Sequence, residues 1–160
     1  MTLKTKLTEE DFIKANLVLL YSKAPMILST ILILFFLALT IISAVVYSKV
    51  SIFLIILLPI MLIAMPIMNY FSAKRGYASD SRIGETIEYQ FDSENLSMKG
   101  ETFDEQLPLK EIYRVTKTKH FLLIWQNRQM ANPIPERFIS DIEIEELKNI
   151  LSNKKVKNNL

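Results

Sequence analysis

Cysteine is absent from these 160 residues, and histidine and tryptophan occur once each. Without thiols the chain forms no disulfide, no thiolate metal site and no cysteine nucleophile, and the single imidazole, His120, leaves few nitrogen ligands. Glycine occurs only at Gly76, Gly84 and Gly100, so neither a phosphate-cradling loop nor a dinucleotide fingerprint can be assembled. The formal charge is only +2, which leaves no cationic excess for holding a nucleic-acid backbone, and nucleic acid is not an expected partner. Charge is also missing locally. No charged side chain falls between Ala24 and Ser48 or between Val50 and Ala73, and Lys49 alone separates the two stretches.

A bilayer core about 30 Å thick needs roughly 20 apolar residues in a helix, and each uncharged stretch exceeds that. Two spans are placed at 26–46 and 52–71. Their Ile and Leu runs are compatible with strands in water, but in lipid an unpaired strand leaves its backbone groups unbonded, whereas a helix bonds its own. The few residues between them require an immediate reversal, so residues 26–73 read as a transmembrane hairpin with the bilayer as its first partner. The first stretch is too long for a signal-peptide core and follows a lead containing Glu9, Glu10 and Asp11. Lys6, Lys14 and Lys23 precede the hairpin, Lys74, Arg75 and Arg82 follow it, and its connection holds Lys49. This asymmetry is expected to place both termini of a multi-pass membrane protein in the cytoplasm.

Neither span contains an ionisable residue, so the relay expected of a proton-coupled transporter is missing. Pro59 and Pro66 are expected to kink the second span on one side. Thr40, Ala44 and Ser48 form a small-residue stripe along which a helix, including one from a second copy, can approach.

Residues 1–25 read as an interfacial helix. Thr8 followed by Asp11 has the form of a capping box, and Phe12, Ile13, Leu17 and Leu20 recur on one face. Residues 74–83 read as a linker. From residue 84 to 152 the pattern changes to period two: Ile87, Tyr89 and Phe91 share one face, Asp92 to Asn95 is a turn, and Leu96 and Met98 continue the same face. Further strands are expected over Ile112–Lys117, over the continuous apolar run Phe121–Trp125, and in a short segment reaching Ile134. Ser140 with Glu143 repeats the capping box, and Ile144, Leu147, Ile150 and Leu151 mark the buried stripe of a closing helix. Residues 153–160 read as a frayed basic tail. The expected class is therefore α+β: a two-helix transmembrane hairpin plus a small antiparallel sheet domain closed by a C-terminal helix.

Few residues carry recognisable chemistry. His120 reads as a solvated turn residue, and the carboxylates Glu88, Asp92, Glu143, Glu145 and Glu146 as solvent faces, so no catalytic, metal or cofactor site is expected. In Pro133-Ile134-Pro135-Glu136-Arg137-Phe138 the two prolines are expected to stop sheet pairing. There Arg137 is placed to hold an acid of the sheet or a partner, and Phe138 to pack beneath the helix. Trp125 is either core or an interface anchor. Arg137, Phe138 and Trp125 are the candidate interaction residues, and an uncovered sheet edge is a further route by which an extended peptide can bind.

The segment Thr8-Glu9-Glu10-Asp11-Phe12-Ile13-Lys14-Ala15, two close spans, Ile112-Tyr113-Arg114-Val115-Thr116-Lys117-Thr118-Lys119-His120-Phe121 and Ile134-Pro135-Glu136-Arg137-Phe138 together resemble the YcxB-like family of bacterial membrane proteins. The resemblance implies a cytoplasmic domain similar to bacterial pleckstrin-homology (PH-like) domains, a bent sheet closed by a helix. Five or six strands are legible, fewer than a full pleckstrin-like barrel has. No reaction is transferred by the resemblance. It implies a two-span protein of the bacterial cell (inner) membrane, and the function expected of the chain is that of a non-catalytic interaction module for a membrane or cytoplasmic protein, or for a second copy. Its alternative is a self-immunity or resistance protein against membrane-active peptides.

Overall fold

The structure is a computed structural model that describes residues 1–47, 51–154 and 156–160. Ser48 of the small-residue stripe, Lys49 of the connection and Lys155 of the tail lie outside them. The chain divides into two compact units, one of Asn16–Arg75 and one of Met1–Ala15 with Gly76–Leu160.

In the first unit, helix α2 (Ala24–Tyr47) and most of helix α3 (Ile52–Ser79) replace the expected spans with slightly longer elements. At about 1.5 Å per residue they measure roughly 36 and 42 Å, more than a hydrocarbon core of about 30 Å. Only 6% of each apolar window is buried, whereas the core helix of a soluble protein is mostly covered. Both are long and apolar enough to cross a membrane. Helix α3 continues through Pro59 and Pro66 and through residues 74–79, so the expected linker is largely helical. Three hydroxyls within α2 bond their own backbone: Ser29 and Thr30 donate to the Met26 carbonyl at 2.9 Å, and Thr40 to that of Phe36 at 2.8 Å.

The second unit opens with a strand that the sequence reading omits, β1 (Thr2–Lys6). Helix α1 (Glu9–Tyr21) then starts at the expected cap, where Asp11 N–H donates to Thr8 Oγ1 at 3.2 Å and Thr8 N–H to Asp11 Oδ2 at 3.0 Å. After α3, Asp80 caps a 3-10 turn, Ser81–Gly84. There follow β2 (Thr86–Phe91), β3 (Asn95–Lys99) and β4 (Asp104–Pro108), which with β1 make one antiparallel sheet in the order β1-β2-β3-β4. Strands β5 (Arg114–Lys117), β6 (Phe121–Trp125) and β7 (Ala131–Pro135) make the second sheet, closed on its β5 side by a short parallel strand β8 (Asn158–Asn159). Helix α4 (Asp141–Asn153) lies between β7 and β8 in the chain, with both halves of the Ser140–Glu143 capping box formed.

The core collects the alternating residues of both sheets, among them Leu3, Tyr89, Phe91, Leu96, Val115, Leu122, Ile124 and Ile134, and closes on Leu147 and Leu151 of α4. Strand β6 is buried along its whole length, as its unbroken apolar run implied. Two expectations are corrected. Pro133 and Pro135 do not end pairing; they stand opposite Leu123 and Phe121 within β7. The tail is not frayed, because Val156 is 8% exposed in the core cluster and Val115 N–H donates to the Lys157 carbonyl at 2.9 Å.

Candidate interaction surface

A two-sheet domain has four strand edges, and each edge exposes a row of backbone donors and acceptors unless something covers it. Hydrogen-bond parity along each ladder fixes which residues face outward. In β7, Glu136 N–H bonds the His120 carbonyl and Gln126 N–H the Met130 carbonyl, so even-numbered residues bond β6 and odd-numbered ones face out. Pro133 and Pro135 are both odd, and neither has an N–H to offer. The two prolines thus blunt this edge without weakening the sheet. The β5 edge is occupied by β8. Strand β1 packs against the 3-10 turn Glu136–Phe138, and its outward-facing residues include Lys4 and Lys6.

Strand β4 is different. Gly100 N–H donates to the Phe103 carbonyl at 2.9 Å and Leu109 N–H to the Glu94 carbonyl at 2.8 Å. Given the register Lys99↔Asp104 to Asn95↔Pro108, Phe103, Glu105 and Leu107 bond β3, while the N–H and C=O groups of Asp104 and Gln106 point away from the sheet. Asp104, Glu105 and Gln106 are all exposed. Among the described residues no strand pairs with this edge, and its one proline, Pro108, stands at its last position.

The β3–β4 hairpin is held by Glu85, whose carboxylate accepts from Glu101 N–H at 2.7 Å, Thr102 N–H at 3.0 Å and Thr102 Oγ1 at 2.6 Å. Bonding to the Thr102 hydroxyl and to these amides lowers the Glu85 pKa from its ordinary value. Gly100 is required at the hairpin because a Cβ there would run into the Phe103 ring and come within 2.7 Å of Glu85 Oε2. Beside the open edge is a cleft of about 500 Å³, lined by Ile87, Tyr89, Met98, Phe103, Met130 and Pro133, with Glu105 also in its wall. Its contents are mostly apolar side chains from both sheets, as in many small-ligand and peptide sites.

The three candidate interaction residues separate. Trp125 is 1% exposed, its Nε1 donates to Thr116 Oγ1 at 3.0 Å, and the Arg114 guanidinium lies 4.4 Å from its ring. It is a core residue and is corrected as an exposed anchor: β6 lies between β5 and β7, and neighbouring side chains cover both of its faces. Arg137 holds an acid, but of helix α1 and not of the sheet. Its Nη1 donates to Asp11 Oδ1 at 2.7 Å and its Nη2 bonds the other oxygen. Phe138 is half-buried, with the Arg137 guanidinium 4.7 Å from its ring centre. His120 is exposed, as expected of a turn residue. The open β4 edge escaped sequence reading because Asp-Glu-Gln carries no apolar alternation; its one signal was Gly100 followed by a polar turn.

The chain is thus an α+β protein with two long apolar helices ahead of an antiparallel sheet domain with a C-terminal helix. Residues 91–151, from the last residue of β2 into α4, match the family described as YcxB-like protein. No curated protein and no solved structure matches the chain.

Proposed function

We propose that this is a non-catalytic integral protein of the inner membrane whose hairpin holds a small, PH-like cytoplasmic domain at the bilayer surface for interaction with another protein. The observation that carries the reading is the pairing of β1 with β2, Thr2↔Gln90 to Lys6↔Thr86, across the intervening apolar helices. Strands on either side of the hairpin belong to one ladder, so both flanks must lie on the same side of the membrane, which an even number of crossings satisfies. The basic residues near both flanks favour the cytoplasmic side. Confinement to a surface raises the domain's effective concentration toward membrane partners.

The acids with shifted pKa values are used to hold the fold. Every carboxylate with a shifted pKa is lowered by a bond that holds the fold: Asp11 by Arg137, Asp80 by Arg82, Glu85 by Thr102, Asp92 by the amides of its turn and Glu143 by Ser140. Crosslinking in membranes followed by purification should recover a recurring protein partner, lost when residues 84–151 are deleted. Recovery of the chain alone would contradict the reading.

A further inference from the structure

We infer that the β4 edge is the docking line, and that its partner is an extended, basic segment of another protein that adds to the sheet as a fifth strand beside β4. The inference rests on the interaction reading above and names the surface and the chemistry of the partner. Three observations converge on it. First, Asp104 and Gln106 turn their backbone donors and acceptors away from the sheet, the pattern that an added strand satisfies. Second, two prolines blunt β7 and β8 pairs with the β5 edge, whereas no strand among the described residues pairs with the outward side of β4, whose one proline, Pro108, is its last residue. Third, the open edge is acidic. Asp104 and Glu105 are exposed and Glu101 precedes them; of the nearby cations, Lys99 lies 3.8 Å from Asp104, and Arg82, in the same cleft wall as Glu105, is held by Asp80.

That charge also decides between occupants. Antiparallel pairing of β4 with β4 of a second copy would set acids against acids, and like charges directly opposite weaken a pair. A segment carrying Lys or Arg at alternate positions is complementary, and its intervening apolar side chains can reach the cleft beside Phe103 and Met98.

The test uses the full chain in lipid nanodiscs and two nine-residue probes, one alternating Lys with Val and one alternating Glu with Val. The Lys/Val probe is expected to bind saturably and to slow amide exchange at Asp104 and Gln106 at least tenfold, and the Glu/Val probe to bind at least tenfold more weakly. Gln106→Pro copies the device of β7 at a residue whose N–H is not used by β3, and should abolish binding while leaving Trp125 fluorescence unchanged. Should that variant misfold, Glu105→Lys serves instead, and should narrow or reverse the preference between the probes. Equal binding of both probes, protection of amides elsewhere, or protection of β4 amides that depends on protein concentration without any probe would overturn the proposal. If a crosslinked partner is recovered and survives Gln106→Pro, the interaction reading stands and the β4 assignment fails.

Discussion

Asp11, in the first turn of α1, and Arg137, in the turn between β7 and α4, are 126 residues apart in sequence and joined by two hydrogen bonds. The same carboxylate accepts from Thr8 N–H and Thr8 Oγ1. One side chain therefore starts the N-terminal helix and fastens it to the sheet domain. Asp11 is 8% exposed, so its charge depends on these donors, while the Arg137 side chain is 51% exposed and partly screened.

Asp11→Asn should consequently destabilise this unit by about 1–2 kcal/mol, between a charged hydrogen bond and a surface pair. Arg137, first through its hydrogen bonds, holds the Asp11 carboxyl well below its ordinary range. A depressed folded pKa contributes stability that is complete above the unfolded value of about 3.9 and is lost as pH falls towards the folded one. Thermal melts followed by Trp125 fluorescence should show the gap between wild type and Asp11→Asn constant above about pH 5 and shrinking below pH 4. A gap that does not change with pH would contradict the assignment.

The β3–β4 hairpin depends on the space above Gly100. Gly100→Ala should displace the Phe103 ring and the Glu85 carboxylate, at an overpacking cost of about 1–3 kcal/mol. The loss of amide protection at Glu101 and Thr102, which donate to Glu85, is the measurement that checks it.

Substituting Val156→Asp puts a charge in the core cluster and should release β8. The Val115 amide, which bonds Lys157, is then expected to lose its exchange protection, with a fall in stability of about 2–4 kcal/mol. Retained protection at Val115 would mean that the last residues hold their place without Val156.

What the sequence made legible follows from where each element sits. The spans, the two capping boxes, α4 and β6 were readable because their signals are local and strong: long uncharged runs, a hydroxyl three residues before an acid, a continuous Phe-Leu-Leu-Ile-Trp. The elements that escaped, β1, β4 and β8, are all edge strands. An edge strand pairs on one side only, so Thr-Leu-Lys-Thr-Lys, Asp-Glu-Gln-Leu-Pro and Asn-Asn need little apolar alternation. The partner of β1 also lies more than 80 residues away in the chain, beyond any local window. Of the candidate site, the Arg137 cluster was recognised, but its acid came from α1. The β7 prolines look like breakers in sequence because their parity in the ladder is a property of the pairing alone.

The central claim is that one folded unit holds both ends of a membrane hairpin. Because the chain has no native cysteine, single cysteines can be placed at Lys4, Ser51 and Lys110 and tested in intact cells with a membrane-impermeant maleimide. Ser51→Cys alone should react from outside, with Lys4→Cys and Lys110→Cys reacting together only after permeabilisation. External labelling of either Lys4→Cys or Lys110→Cys, with the other protected, would contradict the account.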